Sequence, residues 1–98
     1  MKIIMVDIDE TVCLYDGERI YEQAIPIQKN IDKINKYYDS GDWKVIYWTS
    51  RGGTTNLDWT LLTKFQLDKW GCHYHELRLD KPHYDLIIDD KSKRIEEI

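Results

Sequence analysis

The sequence has few cysteines and no long apolar segment. Cys13 and Cys72 are its only cysteines, too few for the disulfide framework of a small secreted domain, so we expect reduced thiols. No apolar run approaches the roughly 20 residues that a membrane-spanning helix needs. Met1-Lys2 leads into a strand pattern instead of the apolar core of a signal peptide. These features predict a cytoplasmic protein without a membrane partner.

An excess of positive charge is also missing. The 14 lysine and arginine residues are scattered among 18 acidic residues, which gives a net charge of -4. Nucleic-acid backbones are bound by concentrated positive charge, so a nucleic-acid partner is not expected. Repeats, low-complexity tracts and linkers are absent too, and 98 residues suffice for one small domain. We therefore expect residues 1–98 to form a single domain with any active site built on its core fold.

Apolar runs separated by turn residues predict strands that alternate with helices. The predicted strands cover residues 2–8, 43–48, 73–77 and 85–88. The predicted helices run from Pro26 to Gly41 and over residues 56–70, and a charged helix ends the chain. Asp16-Gly17 predicts a small hairpin over residues 14–21, a flap after the first strand. This order is typical of an α/β fold with a parallel sheet that binds ligands at the carboxyl ends of its strands.

Reactive side chains follow the first two of these strands. Asp7 and Asp9 end the first strand, and alternate residues of an extended chain point the same way, so both can face one crevice. Thr49-Ser50-Arg51 and two glycines follow the second strand, where a hydroxyl and backbone amides can receive phosphate oxygens. Paired carboxylates beside such a loop suit phosphoryl transfer, in which one acid attacks phosphorus and the other manages a proton.

The end of the chain adds an ammonium group and two more acids. Asp89 and Asp90 follow the predicted strand over residues 85–88, and Lys81-Pro82 places a cation on a stiff loop just ahead of it. Together with the acids of the first strand, these residues predict a metal-assisted phosphoryl-transfer site. An N-terminal cap for the last helix is an alternative role for Asp89 and Asp90.

In this order the residues resemble the four motifs of the haloacid dehalogenase superfamily of phosphohydrolases. Asp7-Ile8-Asp9-Glu10-Thr11 resembles the first motif, Thr49 the second, Lys81 the third and Asp89-Asp90 the fourth, although Glu10 replaces the commoner glycine. The resemblance implies a three-layer, flavodoxin-like sandwich around a central parallel sheet. The segments after the first and second motifs are too short for a cap domain, so only the flap is expected above the site.

The resemblance also implies a mechanism and a cofactor. Asp7 would attack phosphorus and form an aspartyl phosphate, while Asp9 would act as general acid and base. Mg²⁺ would be held by Asp7, the backbone carbonyl of Asp9 and Asp89. Crowding among these carboxylates is expected to raise the pKa of Asp9. The residues expected to bind phosphate are Thr49, Ser50 and Lys81, and those expected to support them are Thr11, Arg51 and Asp90.

Substrate, assembly and function class stay open at this point. A sugar phosphate or similar small metabolite is favoured, and a nucleotide or nucleic-acid 3'-phosphate is the alternative. We expect a dimer or tetramer, because an open site on a small domain needs something to exclude water.

A receiver-like domain is a rival, but no acid follows the third predicted strand at Leu77. A pseudoenzyme that binds a partner and a zinc site at Cys72, His73 and His75 are further alternatives.

Overall fold

The computed structural model describes residues 1–98 and is built around a parallel sheet of three strands. The strands are β1 (Lys2–Val6), β2 (Cys13–Leu14), β3 (Ile25–Pro26), β4 (Trp43–Trp48) and β5 (Glu76–Arg78), and the helices are α1 (Gln28–Asp39) and α2 (Thr60–Lys69). The order in the sheet is β1-β4-β5, with Ile4 opposite Val45 and Tyr47 opposite Leu77. The prediction of an α/β fold with a parallel sheet is therefore confirmed.

The core lies around the central strand β4. Its consecutive residues Val45, Ile46 and Tyr47 are all buried. Because successive side chains of a strand point to opposite faces, β4 is covered on both faces. Ile31 and Ile34 of α1 belong to the same buried cluster, as does Leu67 of α2. Neither helix is long and apolar enough to cross a membrane.

Both helices begin later than the sequence predicts. Pro26 lies in β3 and α1 starts at Gln28, while α2 starts at Thr60 instead of residue 56. Trp59 is the N-cap of α2, and Asp58 just before it forms a local turn in which its Oδ1 accepts the backbone N–H of Thr60 at 2.9 Å. Gly71 follows the end of α2 with a φ of 74°, a left-handed conformation that glycine adopts without strain.

The flap is wider than the predicted tight hairpin. Its two strands β2 and β3 pair antiparallel, with Cys13 opposite Pro26 and Leu14 opposite Ile25. Residues 15–20 therefore form a loop between the strands. The base of the flap is closed by the backbone N–H of Ile27, which donates to Val12 O at 2.8 Å. The flap is therefore closed by β2 and β3 at its base, and the predicted two-residue hairpin turn at 16–17 does not form.

Other predicted bounds differ, most of all at the end of the chain. The strand predicted over 2–8 stops at Val6, and the one predicted over 73–77 is shifted to Glu76–Arg78. The predicted strand over 85–88 is absent, as is the C-terminal helix, of which only a 3-10 turn at Ile95–Glu97 forms. Residues 84–88 make no backbone–backbone hydrogen bond, and Leu86 and Ile88 are 77% and 89% exposed. Strand propensity depends on packing beside a neighbouring strand, and this segment has none.

Candidate active site

The turn after β1 presents Asp7 and Asp9 on the side opposite the core. Ile8 between them is completely buried, and its carbonyl accepts the backbone N–H groups of Thr11 and Val12 at 3.1 and 2.9 Å. The buried isoleucine therefore anchors the turn and leaves both carboxylates on its other side. Glu10 has a φ of 68°, which lies in the left-handed region that favours glycine.

Asp7 is held from two sides and still reaches solvent. Thr11 Oγ1 donates to its Oδ2 at 3.4 Å, and Lys81 Nζ lies 3.5 Å from its Oδ1. The carboxylate side chain is 40% exposed. Asp7 is thus the accessible acid of the pair, with a cation beside it.

Lys81 reaches this position from the loop after β5. Its backbone N–H donates to Thr49 O at 3.2 Å, and its Nζ lies over the rings of Trp48 and Tyr84. The side chain is only 9% exposed. The backbone hydrogen bond and the two aromatic rings hold the ammonium group beside the carboxylate of Asp7.

Thr49 and Ser50 lie where β4 ends. The backbone N–H of Thr49 donates to Arg78 O at 2.9 Å, and its Oγ1 accepts the backbone N–H of Arg51 at 3.2 Å. The hydroxyl proton of this buried threonine remains available to an acceptor. The loop then turns sharply at Gly52, where a Cβ atom would come within 2.3 Å of Leu57 O. Glycine is therefore required for this loop to fold back beside the strand end.

Asp9 is paired with Arg51. The Nε and Nη2 atoms of Arg51 donate to Oδ2 and Oδ1 of Asp9 at 3.1 and 2.8 Å, and Tyr15 donates its hydroxyl to Oδ1. Burial acts to raise the pKa of Asp9, but the hydrogen bonds and positive charge of Arg51 act the other way and hold that pKa below its usual range. The expectation that crowding raises this pKa is wrong, because the nearest charge is a guanidinium.

The structure does not bring Asp89 and Asp90 to this site. Both are exposed beyond the unpaired segment 84–88, and Asp89 Oδ1 accepts the backbone N–H of Lys91 at 3.2 Å. That contact closes a local turn. The capping alternative is also wrong, because Arg94 is the N-cap of the 3-10 turn that ends the chain. The predicted site residues that do come together are Asp7, Asp9, Thr11, Thr49, Arg51 and Lys81.

Only part of the ligand set expected for Mg²⁺ lies together at the turn after β1. No group of three or more histidine, cysteine or acidic side chains is placed to hold a metal ion. Of the three expected ligands, Asp7 and the backbone of Asp9 lie at the turn after β1, whereas Asp89 is elsewhere. Carboxylates of Asp and Glu are the usual protein ligands of Mg²⁺. Asp7 offers an exposed carboxylate for this role, whereas both oxygens of Asp9 accept hydrogen bonds from Arg51.

The histidines of the zinc alternative make other contacts. His75 Nδ1 accepts the backbone N–H of Val45 at 3.0 Å, and His73 Nδ1 lies 2.9 Å from Asp39 Oδ1. Cys72 is buried, and burial raises the pKa of its thiol to about 11. These three residues therefore do not assemble a metal site.

Sequence reasoning missed two polar residues behind Arg51. Thr63 Oγ1 and Gln66 Oε1 accept hydrogen bonds from Arg51 Nη1 at 3.1 and 2.6 Å. Both residues lie on the buried side of α2. Polar residues on the core side of a helix indicate a buried partner, and that signal was present in the sequence.

Comparisons with known proteins support the fold only. The sequence matches no protein-family model and no curated protein. A crystal structure of a Vibrio cholerae protein, solved as a structural-genomics target, is similar to this chain, with a TM-score of 0.82 and 24% sequence identity. The similarity covers 99% of this chain and 86% of the Vibrio protein. The arrangement of strands and helices described above is thus one that a solved protein also adopts.

Proposed function

We propose that the protein is a phosphomonoester hydrolase in which Asp7 forms an aspartyl phosphate. The observation that carries this proposal is the pairing of an accessible carboxylate with a nearly buried ammonium group, Lys81, at the carboxyl edge of a parallel sheet. Thr49 lies at the end of the neighbouring strand, and its backbone carbonyl accepts the N–H of Lys81. A nucleophile with adjacent groups that offset phosphoryl charge is the minimum that such a reaction requires.

In the first step an Asp7 oxygen attacks phosphorus, and the bond from phosphorus to the ester oxygen breaks. The departing oxygen takes a proton from Asp9. Arg51 favours the ionised form of Asp9, so this proton comes from the monoanionic ester, which loses its second proton near about pH 6. A phosphoryl O–H passes the proton to Asp9, and Asp9 passes it to the departing oxygen as the bond to phosphorus breaks. Lys81 and Thr49 offset the charge on the phosphoryl oxygens.

In the second step water attacks phosphorus of the aspartyl phosphate. Asp9 accepts the proton of that water and the bond between phosphorus and Asp7 breaks. Asp9 then passes the proton to the inorganic phosphate, which leaves, and both carboxylates end ionised. An Asp9 that is ionised at rest suits this step, because a base must be free of its proton when water arrives.

The order of Asp7-to-Thr11, Thr49 and Lys81 supports membership of the haloacid dehalogenase superfamily in its capless, flavodoxin-like form. That membership implies Mg²⁺ as cofactor, and a dependence on Mg²⁺ is part of the proposal.

A small phosphorylated metabolite, with a sugar phosphate favoured, is the proposed substrate. A cleft of about 240 Å³ lies beside the loop that follows β4, and its walls include Gly52, Asn56, Trp59 and Leu79. The net charge of -4 disfavours the nucleic-acid alternative.

We also propose a homo-oligomer, a dimer or tetramer. Leu61 and Phe65 lie one turn apart on the outer face of α2 and are 85% and 60% exposed. Leu57, which is also exposed, extends this apolar surface to the cleft. A second copy packed on this surface would remove these apolar side chains from water.

The test is phosphate release from sugar phosphates, nucleotides and phosphopeptides, each with Mg²⁺ and with a chelator. Release from small esters by the wild type, and none by Asp7→Asn, is the expected result. Absence of release from every ester in the presence of Mg²⁺ would reject the proposal. Equal release by wild type and Asp7→Asn would reject Asp7 as the nucleophile.

A further inference from the structure

Every N–H group of the Arg51 guanidinium has a protein acceptor. Nε donates to Asp9, Nη2 to Asp9 and the Tyr15 hydroxyl, and Nη1 to Thr63 and Gln66. A guanidinium has five such hydrogens, and these five contacts use them all. The side chain is 0% exposed. Arg51 therefore has neither a free donor nor a path by which to contact a phosphate group.

The contacts of Arg51 join three separate parts of the chain. Arg51 lies after β4, Asp9 lies on the turn after β1, and Thr63 and Gln66 belong to α2. Gln66 Nε2 in turn donates to the carbonyl of Tyr21 at 2.6 Å, and the ring of Tyr21 lies 4.7 Å from the guanidinium carbon. The direction of the Asp9 carboxylate is thus set by α2 and by the flap.

The two oxygens of Asp9 differ in what they accept. Oδ1 accepts hydrogen bonds from Arg51 Nη2, the Tyr15 hydroxyl and the Cys13 thiol, whereas Oδ2 accepts only Arg51 Nε. A carboxylate oxygen has two lone-pair sites, so Oδ1 is saturated and Oδ2 retains one free site. A proton that moves to or from Asp9 must use Oδ2.

From this geometry we infer that Arg51 is a positioning residue that aims Oδ2 of Asp9 at the leaving oxygen of the substrate. The inference rests on the proposed function and adds the atom that transfers the proton and the residue that orients it. Arg51 acts through Asp9 and makes no contact with substrate. Lysine cannot replace it, because an ammonium group lacks the planar fork that holds both oxygens of a carboxylate.

The closing experiment compares leaving groups in Arg51→Lys. A general acid matters most for a poor leaving group, so hydrolysis of phenyl phosphate should fall on the order of 10²-fold, and that of 4-nitrophenyl phosphate by less than about tenfold. Arg78→Lys, at an exposed arginine paired with Asp80, is the matched control and should leave both rates unchanged. Equal losses for the two esters in a folded Arg51→Lys protein would overturn the inference.

Thr63→Val provides a second variant in case Arg51→Lys does not fold. It removes one outer contact of Arg51 with little change in shape, and should show the same bias against phenyl phosphate with a smaller loss. Uniform losses in Thr63→Val, or none, would count against Arg51 as a positioning residue. A wild type that releases phosphate from neither of these esters, nor from any ester of the panel used to test the proposed function, would reject that function itself, so the two failures are distinguishable.

Discussion

Lys81 Nζ lies 3.5 Å from Asp7 Oδ1, which joins the loop after β5 to the turn after β1. The lysine is nearly buried while the aspartate is open to solvent. Solvent and substrate can therefore reach the carboxylate of Asp7, whereas the ammonium of Lys81 is largely shielded by the protein. A phosphate group that approaches Asp7 meets the ammonium at the same time, which lowers the repulsion between two anions.

Removal of the Lys81 ammonium should impair turnover far more than stability. We expect Lys81→Ala to reduce the rate on the order of 10²-fold or more, the scale observed when one donor to a developing oxyanion is lost. Lys64→Ala and Lys69→Ala are matched controls, since each also removes one positive charge, from an exposed position on α2. They should change stability by less than about 0.5 kcal/mol and leave the rate nearly unchanged. A large loss in Lys64→Ala with a normal Lys81→Ala protein would contradict this.

Asp7→Asn should abolish phosphate release and leave the fold intact. The amide keeps the shape of the side chain and can still accept from Thr11, but it is not a nucleophile. Circular dichroism and thermal unfolding would check the fold, and phosphate release would check activity. Hydrolysis above background in folded Asp7→Asn protein would remove Asp7 from the mechanism.

Both thiols should resist modification in the native protein. Burial raises the pKa of Cys13 to about 12 and that of Cys72 to about 11, above the usual thiol value of roughly 8.5. The folded state therefore keeps protons that the unfolded chain releases. This contribution to stability is complete below about pH 8.5, and is lost as pH rises through the two folded pKa values.

The measurement for this prediction is labelling by a thiol reagent at pH 8, with and without urea. No cysteine should react in the native protein, and two should react in urea. Rapid labelling of a cysteine in the absence of urea would show that its thiol is not protected as the structure describes.

A charge on the outer face of α2 should dissociate the proposed oligomer. Leu61→Glu places a carboxylate in the centre of the exposed apolar surface, so light scattering should report a smaller mass than for the wild type. Leu86→Glu is the control. Leu86 is also a highly exposed leucine, but it lies in segment 84–88 and not on α2. A wild type that is monomeric at working concentrations and fully active on a small ester would refute the oligomer.

The sequence was sufficient to predict the features that depend only on residues close together in the chain. The bounds of β4, Trp43–Trp48, agree with the prediction, because a glycine precedes the strand and a polar loop follows it. Asp7 and Asp9 lie on one side of the chain because the buried Ile8 alternates with them. Both features depend on neighbouring residues, so the periodic pattern of apolar and polar residues in the sequence predicts them.

Features that depend on distant residues were predicted poorly. The segment 85–88 has the composition of a strand, but a strand also needs an edge to pair with, and sequence composition does not specify one. The orientation of Arg51 depends on Thr63 and Gln66, which reach it only when α2 packs on the sheet. The pKa of Asp9 is lowered mainly by Arg51, which is distant in the sequence, and to a smaller extent by hydrogen bonds from the nearby Tyr15 and Cys13.

β1 is an edge strand, hydrogen-bonded to β4 alone. The backbone groups on its other side are free to pair with a strand from another molecule, and the exposed side chains of Ile3 and Met5 would favour such growth. Aggregation of concentrated protein is therefore expected to begin at the strand that carries the candidate nucleophile. Ile3→Lys would place a charge on this edge and oppose the pairing of strands from different molecules. The substitution leaves Asp7 and Asp9 unchanged, so the variant should stay in solution at the concentrations that the assays need.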